Sequence, residues 1–86
     1  METLKKLYAT VDINGRISSS KIKYYETKKE NYGIEIVREV EDKVQARRTI
    51  DNITDKKGNI NKVLEVLTRQ LITPESAEYI EEDLIY

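Results

Sequence analysis

The sequence predicts an α+β domain: a four-stranded antiparallel meander in the order 1-2-3-4, followed by two helices packed on one face of the sheet. Three observations predict it. Tyr32, Ile34 and Ile36 alternate with Gly33, Glu35 and Val37, the period of a half-buried strand. Asn14-Gly15, a strong hairpin signal because both central residues of a type I′ turn need positive φ, separates two β-like runs. After Ile50 the apolar spacing lengthens to three and four, with Ile60, Val63, Leu64, Leu67 and Leu71 on one side of a helix.

The first strand, residues 4–13, places Leu7, Ala9, Val11 and Ile13 on the core face and Tyr8, Thr10 and Asp12 on the other. A two-residue turn at Asn14-Gly15 sets Ile13 opposite Arg16 and Leu7 opposite Ile22. The second strand, 19–27, turns Ile22 and Tyr24 to the core. A turn over Lys28–Asn31 then pairs Ile22 with Ile36 and Tyr24 with Ile34 on that face. On the opposite face it pairs Lys23 with Glu35 and lays Tyr25 over Gly33. The third strand is 32–40. A three-residue loop, Glu41-Asp42-Lys43, leads into the fourth, 44–50, pairing Val40 with Val44, Arg38 with Ala46, Ile36 with Arg48 and Ile34 with Ile50.

The first helix spans 59–71 with Asn59 as its N-cap; Thr54 is a competing cap that would put Gly58 inside the first turns. The second helix spans 74–85. Thr73 caps it and Pro74 takes the first helical position, where a missing N–H is harmless. Ala77, Ile80 and Leu84 form its apolar side, with Tyr79 a further candidate.

Eighty-six residues make one domain, 1–86, with a thin stability margin. The chain has no cysteine, which removes thiol chemistry and fits a reducing compartment. It has no histidine, the commonest general base and metal ligand. No apolar run is long enough to span a membrane, and the N-terminus lacks a signal-peptide core, so the expected setting is cytoplasmic. The net charge of −1 is unevenly spread. Residues 74–86 carry Glu75, Glu78, Glu81, Glu82 and Asp83 and no base, while the body holds fifteen bases against eleven acids, a balance of +4.

No nucleotide, metal or thiol motif is present, so no cofactor and no catalytic residue is expected. The acidic tail reads as a solvated face in preference to a cation site. Two groups are candidates for interaction. Arg38 and Arg48 share the core-side face as diagonal neighbours and could take a carboxylate, a phosphate or an acidic partner. The favoured alternative is structural: the two sit beyond the helix cover or pair with Glu65 or the acidic tail, and a β-bulge could also rotate them outward. On the outer face Tyr8, Tyr25, Lys21, Lys23 and Arg47 have the composition of a protein or nucleic-acid surface, though Glu35 and Glu39 interrupt it.

The segments TLKKLYATVDINGR (3–16) and YGIEIV (32–37) resemble an uncharacterised family of small proteins from Gram-positive, spore-forming bacteria. That family also continues into a short amphipathic helix and an acidic helical tail. The resemblance implies a bacterial cytoplasmic protein and supplies no activity, cofactor or site. The expected function is that of a non-enzymatic, regulatory protein-interaction module. Its partner is an unknown protein or a second copy joined through an edge strand, with no membrane association. Weak nucleic-acid binding through the outer face is the alternative.

Overall fold

The computed structural model describes residues 3–15 and 19–77. Its elements are β1 (Leu4–Asn14), β2 (Ser19–Lys28), β3 (Tyr32–Val40), β4 (Lys43–Thr54) and α1 (Lys57–Arg69). A second helix, α2, begins over residues 74–77. The four strands form one antiparallel sheet in the order β1-β2-β3-β4, so β1 and β4 are its edges. The expected end of α2 at residue 85, and the acids from Glu78 onward, lie outside the described residues.

The predicted faces hold for the two inner strands. Ile22, Tyr24, Ile34 and Ile36 are fully buried beneath Ile60, Val63, Leu64 and Leu67 of α1, with Ile50, Ile53 and Ala77 completing the core. Burying a large aliphatic side chain contributes roughly 1.5–3 kcal/mol. One shared apolar layer therefore joins the sheet to a helix that would be marginal alone.

The registers needed correction. Asn14 pairs with Ser19, Ile13 with Ser20 and Val11 with Ile22, so the expected two-residue turn and Leu7–Ile22 pair do not form; Arg16, expected opposite Ile13, lies outside the described residues. In β2–β3 Tyr24 faces Ile36, Ile22 faces Arg38 and Thr27 faces Gly33, a shift of two residues from the expected pairing. Such a shift leaves every side chain on its own face, so alternation cannot detect it. Gly33 explains the choice. A Cβ there would run into the Ile50 carbonyl oxygen and lie 2.8 Å from Thr27 Oγ1 and 3.0 Å from Asp51 Cα.

Three of the four expected β3–β4 pairs are present: Ile34–Ile50, Ile36–Arg48 and Arg38–Ala46. The fourth is not. Val40 pairs with Lys43 and Glu39 with Val44, which leaves Gln45 as a bulge. The turn is two residues long, Glu41 and Asp42, with φ of 52° and 65°. That is type I′ geometry without its usual Asn-Gly chemistry. A second irregularity, between the Tyr32 and Ile34 pairings, places Asn52 at φ 57° and lets β4 run on to Thr54, past the expected end at Ile50.

The helix ends are chemically specific. α1 begins two residues before the expected start, with Lys56 at the N-cap position and no side-chain cap. Thr54 Oγ1 accepts from Lys56 N–H at 3.2 Å and from Asn59 Nδ2 at 3.3 Å, so Asn59 is not the cap and Gly58 lies inside the first turn. α1 closes in a Schellman motif. Ile72 N–H donates to the Leu67 carbonyl at 3.0 Å and Leu71 N–H to that of Thr68 at 3.3 Å, with Leu71 left-handed at φ 53°. The α2 start is as predicted. Thr73 Oγ1 accepts from Ser76 N–H at 3.2 Å, and Ser76 Oγ accepts from Thr73 N–H at 2.9 Å. This is a capping box with Pro74 at the first helical position.

Candidate functional site

The two arginines of the core-side face are diagonal neighbours, as expected, because Arg38 pairs with Ala46 and Arg48 with Ile36. Arg38 reaches the first turn of α2 and forms an ion pair with Glu75. Glu75 is an acid of the 74–86 tail, whereas Glu65 pairs with Arg69 within α1. Arg48 is half-buried on the same face. The pair thus borders the joint between sheet and second helix.

The outer face is a grid of cross-strand rows. One row runs Leu7, Tyr25, Glu35, Thr49; the next runs Thr10, Lys23, Val37, Arg47. Its centre is the Glu35 carboxylate, whose side chain is only 10% exposed. Glu35 Oε1 lies 3.1 Å from Arg47 Nε and 3.6 Å from Lys5 Nζ, though neither contact is aligned as a hydrogen bond. Lys5 Nζ also sits 4.6 Å from the Tyr25 ring centroid, a cation–π contact. Lys23 Nζ lies 3.1 Å from Glu39, and that contact raises the Lys23 pKa above its ordinary value. Two of the cations expected to offer a basic surface, Lys23 and Arg47, are therefore matched by carboxylates of β3. Lys23, Tyr25 and Arg47 do come together; Lys21 remains exposed beside them.

Tyr8 does not join them. The β1–β2 register shifts between Leu7, which faces Tyr25, and Ala9, which faces Tyr24. Tyr8 is the inserted residue of that bulge. It lines a cleft of about 420 Å³ with Lys6, Leu7, Glu26, Lys57, Asn61 and Glu65, against the flank of α1. The same bulge moves Leu7 out of its expected core position to the outer row, where it is 49% exposed. Leu4 (66%) and Tyr8 (44%) are also exposed, so one edge segment carries three large uncovered apolar side chains.

The sequence reading missed Glu26 and Tyr32. Glu26 ion-pairs with Lys57 of α1, and Lys28 Nζ lies 4.2 Å from the Tyr32 ring centroid. The first contact depends on how α1 packs on β2 and the second on the pairing of Lys28 with Tyr32 in the β2–β3 register, so alternation alone announces neither. Among the described residues no helix is long and apolar enough to cross a membrane.

No curated protein and no solved structure matches the chain. A family model does match it over residues 5–86, which includes every strand and helix above but the first residue of β1. The chain belongs to the family of unknown function DUF6514.

Proposed function

We propose that this protein is a non-enzymatic, regulatory protein-interaction module of the bacterial cytoplasm, engaging its partner through the β1 edge. The observation that carries the reading is the exposure of Leu4, Leu7 and Tyr8 along one free edge strand. A free edge offers unpaired backbone donors and acceptors as a template for another strand. The opposite edge serves less well, because β4 is interrupted by two irregularities. The runner-up, weak nucleic-acid binding by Lys21, Lys23, Tyr25 and Arg47, is weakened by the Glu35 and Glu39 carboxylates held against two of those cations.

The test is affinity capture from native cells with the wild-type chain and an edge variant, Leu4→Lys with Leu7→Lys. Both positions are exposed, so folding is preserved. Partners retained by the wild type and lost by the variant support the reading. Equal capture by both, or capture only of nucleic acid in a steeply salt-dependent manner, overturns it.

A further inference from the structure

We infer that β1 pairs antiparallel with β1 of a second copy, about a dyad between Tyr8 and Ala9. This doubles the sheet and sets Lys5 opposite Asp12 of the other copy. The inference rests on the reading of β1 as the interaction edge and names its occupant.

The bulge selects this register. Residues directly opposite each other in a ladder must share a sheet face, and in a regular strand face follows residue parity. A dyad lying between two consecutive residues would then oppose inward to outward side chains throughout. β1 is not regular. Ahead of the bulge Lys6 shares the inner face with its partner Glu26, while Lys5 and Leu7 share the outer face with Thr27 and Tyr25. After it, Ala9, Val11 and Ile13 face inward and Thr10 and Asp12 outward. Face parity therefore changes once, at the Tyr8–Ala9 step. A dyad at that step matches every pair. Outward Leu7 meets Thr10 and outward Lys5 meets Asp12. Inward Lys6 meets Val11, and inward Leu4 meets Ile13.

Charge and exposure favour the same register. By symmetry the Lys5–Asp12 pair forms twice, and opposite charges across a ladder are attractive. Leu4, the most exposed large apolar residue of the edge, gains an apolar partner. A dyad at Val11 also respects the faces, but it confines the ladder to residues beyond the bulge and leaves Leu4 and Leu7 uncovered.

The experiment is sedimentation equilibrium on the full chain over a dilution series. It covers the wild type, Lys5→Asp, Asp12→Lys and the double swap, with circular dichroism confirming that each is folded. The wild type should dimerise. Each single reversal should weaken the dimer by about tenfold, since two like-charged pairs replace two attractive ones, and the double swap should restore it. Carbodiimide treatment of mixed light and heavy wild-type chains should yield an intermolecular Lys5–Asp12 amide. Within one chain those side chains are about 23 Å apart along the strand and cannot join. A wild type monomeric throughout the series overturns the inference, as does a dimer that is indifferent to both reversals and gives no such amide. A monomer that still captures a different protein through Leu4 and Leu7 overturns self-pairing alone and leaves the interaction reading standing.

Discussion

The Tyr24 hydroxyl donates a hydrogen bond to the Ile72 carbonyl at 2.8 Å, tying the middle of β2 to the connection between α1 and α2. Tyr24 is fully buried, and Ile72 sits at the end of the Schellman motif that closes α1. This one bond crosses 48 positions of sequence and positions the capping box of α2 against the sheet. Removing the hydroxyl leaves a part-buried carbonyl without its partner. Tyr24→Phe should therefore destabilise the domain by about 1–2 kcal/mol, read from the urea midpoint.

The same burial pushes the Tyr24 phenol up to about 12 from its ordinary value of 10.0. The folded state holds the neutral form more tightly than the unfolded state does. Its contribution is fully present below about pH 10 and is lost as pH rises toward 12. Stability should fall across that window in the wild type and fall less steeply in Tyr24→Phe, as measured by denaturant melts at stepped pH.

Two glycines should respond with opposite signs to the same substitution. Gly33→Ala drives a methyl group into the Ile50 carbonyl and the β4 backbone, neither of which can move without breaking the ladder. A loss of about 2 kcal/mol or more is expected. A Cβ at Gly58, in the first turn of α1, meets nothing within 4 Å. Gly58→Ala should stabilise by about 0.5–1 kcal/mol through helix propensity and a less flexible unfolded chain. Parallel thermal melts check both.

Leu71 occupies the left-handed position that ends α1, a place usually given to glycine. A branched side chain there carries strain of about 1 kcal/mol. Leu71→Gly should raise the stability by up to ~1 kcal/mol, and Leu71→Val should lower it. Equal melting temperatures for all three chains would mean that Leu71 contributes as much by packing as it costs in backbone strain.

The Arg38–Glu75 ion pair is partly exposed, so its worth should be small. A double-mutant cycle with Arg38→Ala and Glu75→Ala should give a coupling of about 0.2–1 kcal/mol that shrinks in high salt. If Arg38 serves only this joint, partner capture should be unaffected by Arg38→Ala.

The strands, their order, the inward faces of β2 and β3, and the Thr73-Pro74 helix start were legible in the sequence. Each depends on local chemistry: alternation of side chains across a pleat, a hydroxyl beside unpaired N–H groups, a fixed proline φ. The β1–β2 and β2–β3 registers, the β4 bulges and the position of Tyr8 were not. A slip of two residues preserves every face, and Glu41-Asp42 carries no compositional sign of its positive φ angles. Those features were decided by contacts between distant segments. Gly33 had to lie where the β4 backbone passes, Thr27 had to face it, and β1 had to kink at Tyr8 to turn Ala9, Val11 and Ile13 onto the core. The sequence alone determined which faces are apolar; the tertiary structure decided the registers, and with them the residues that reach the free edge.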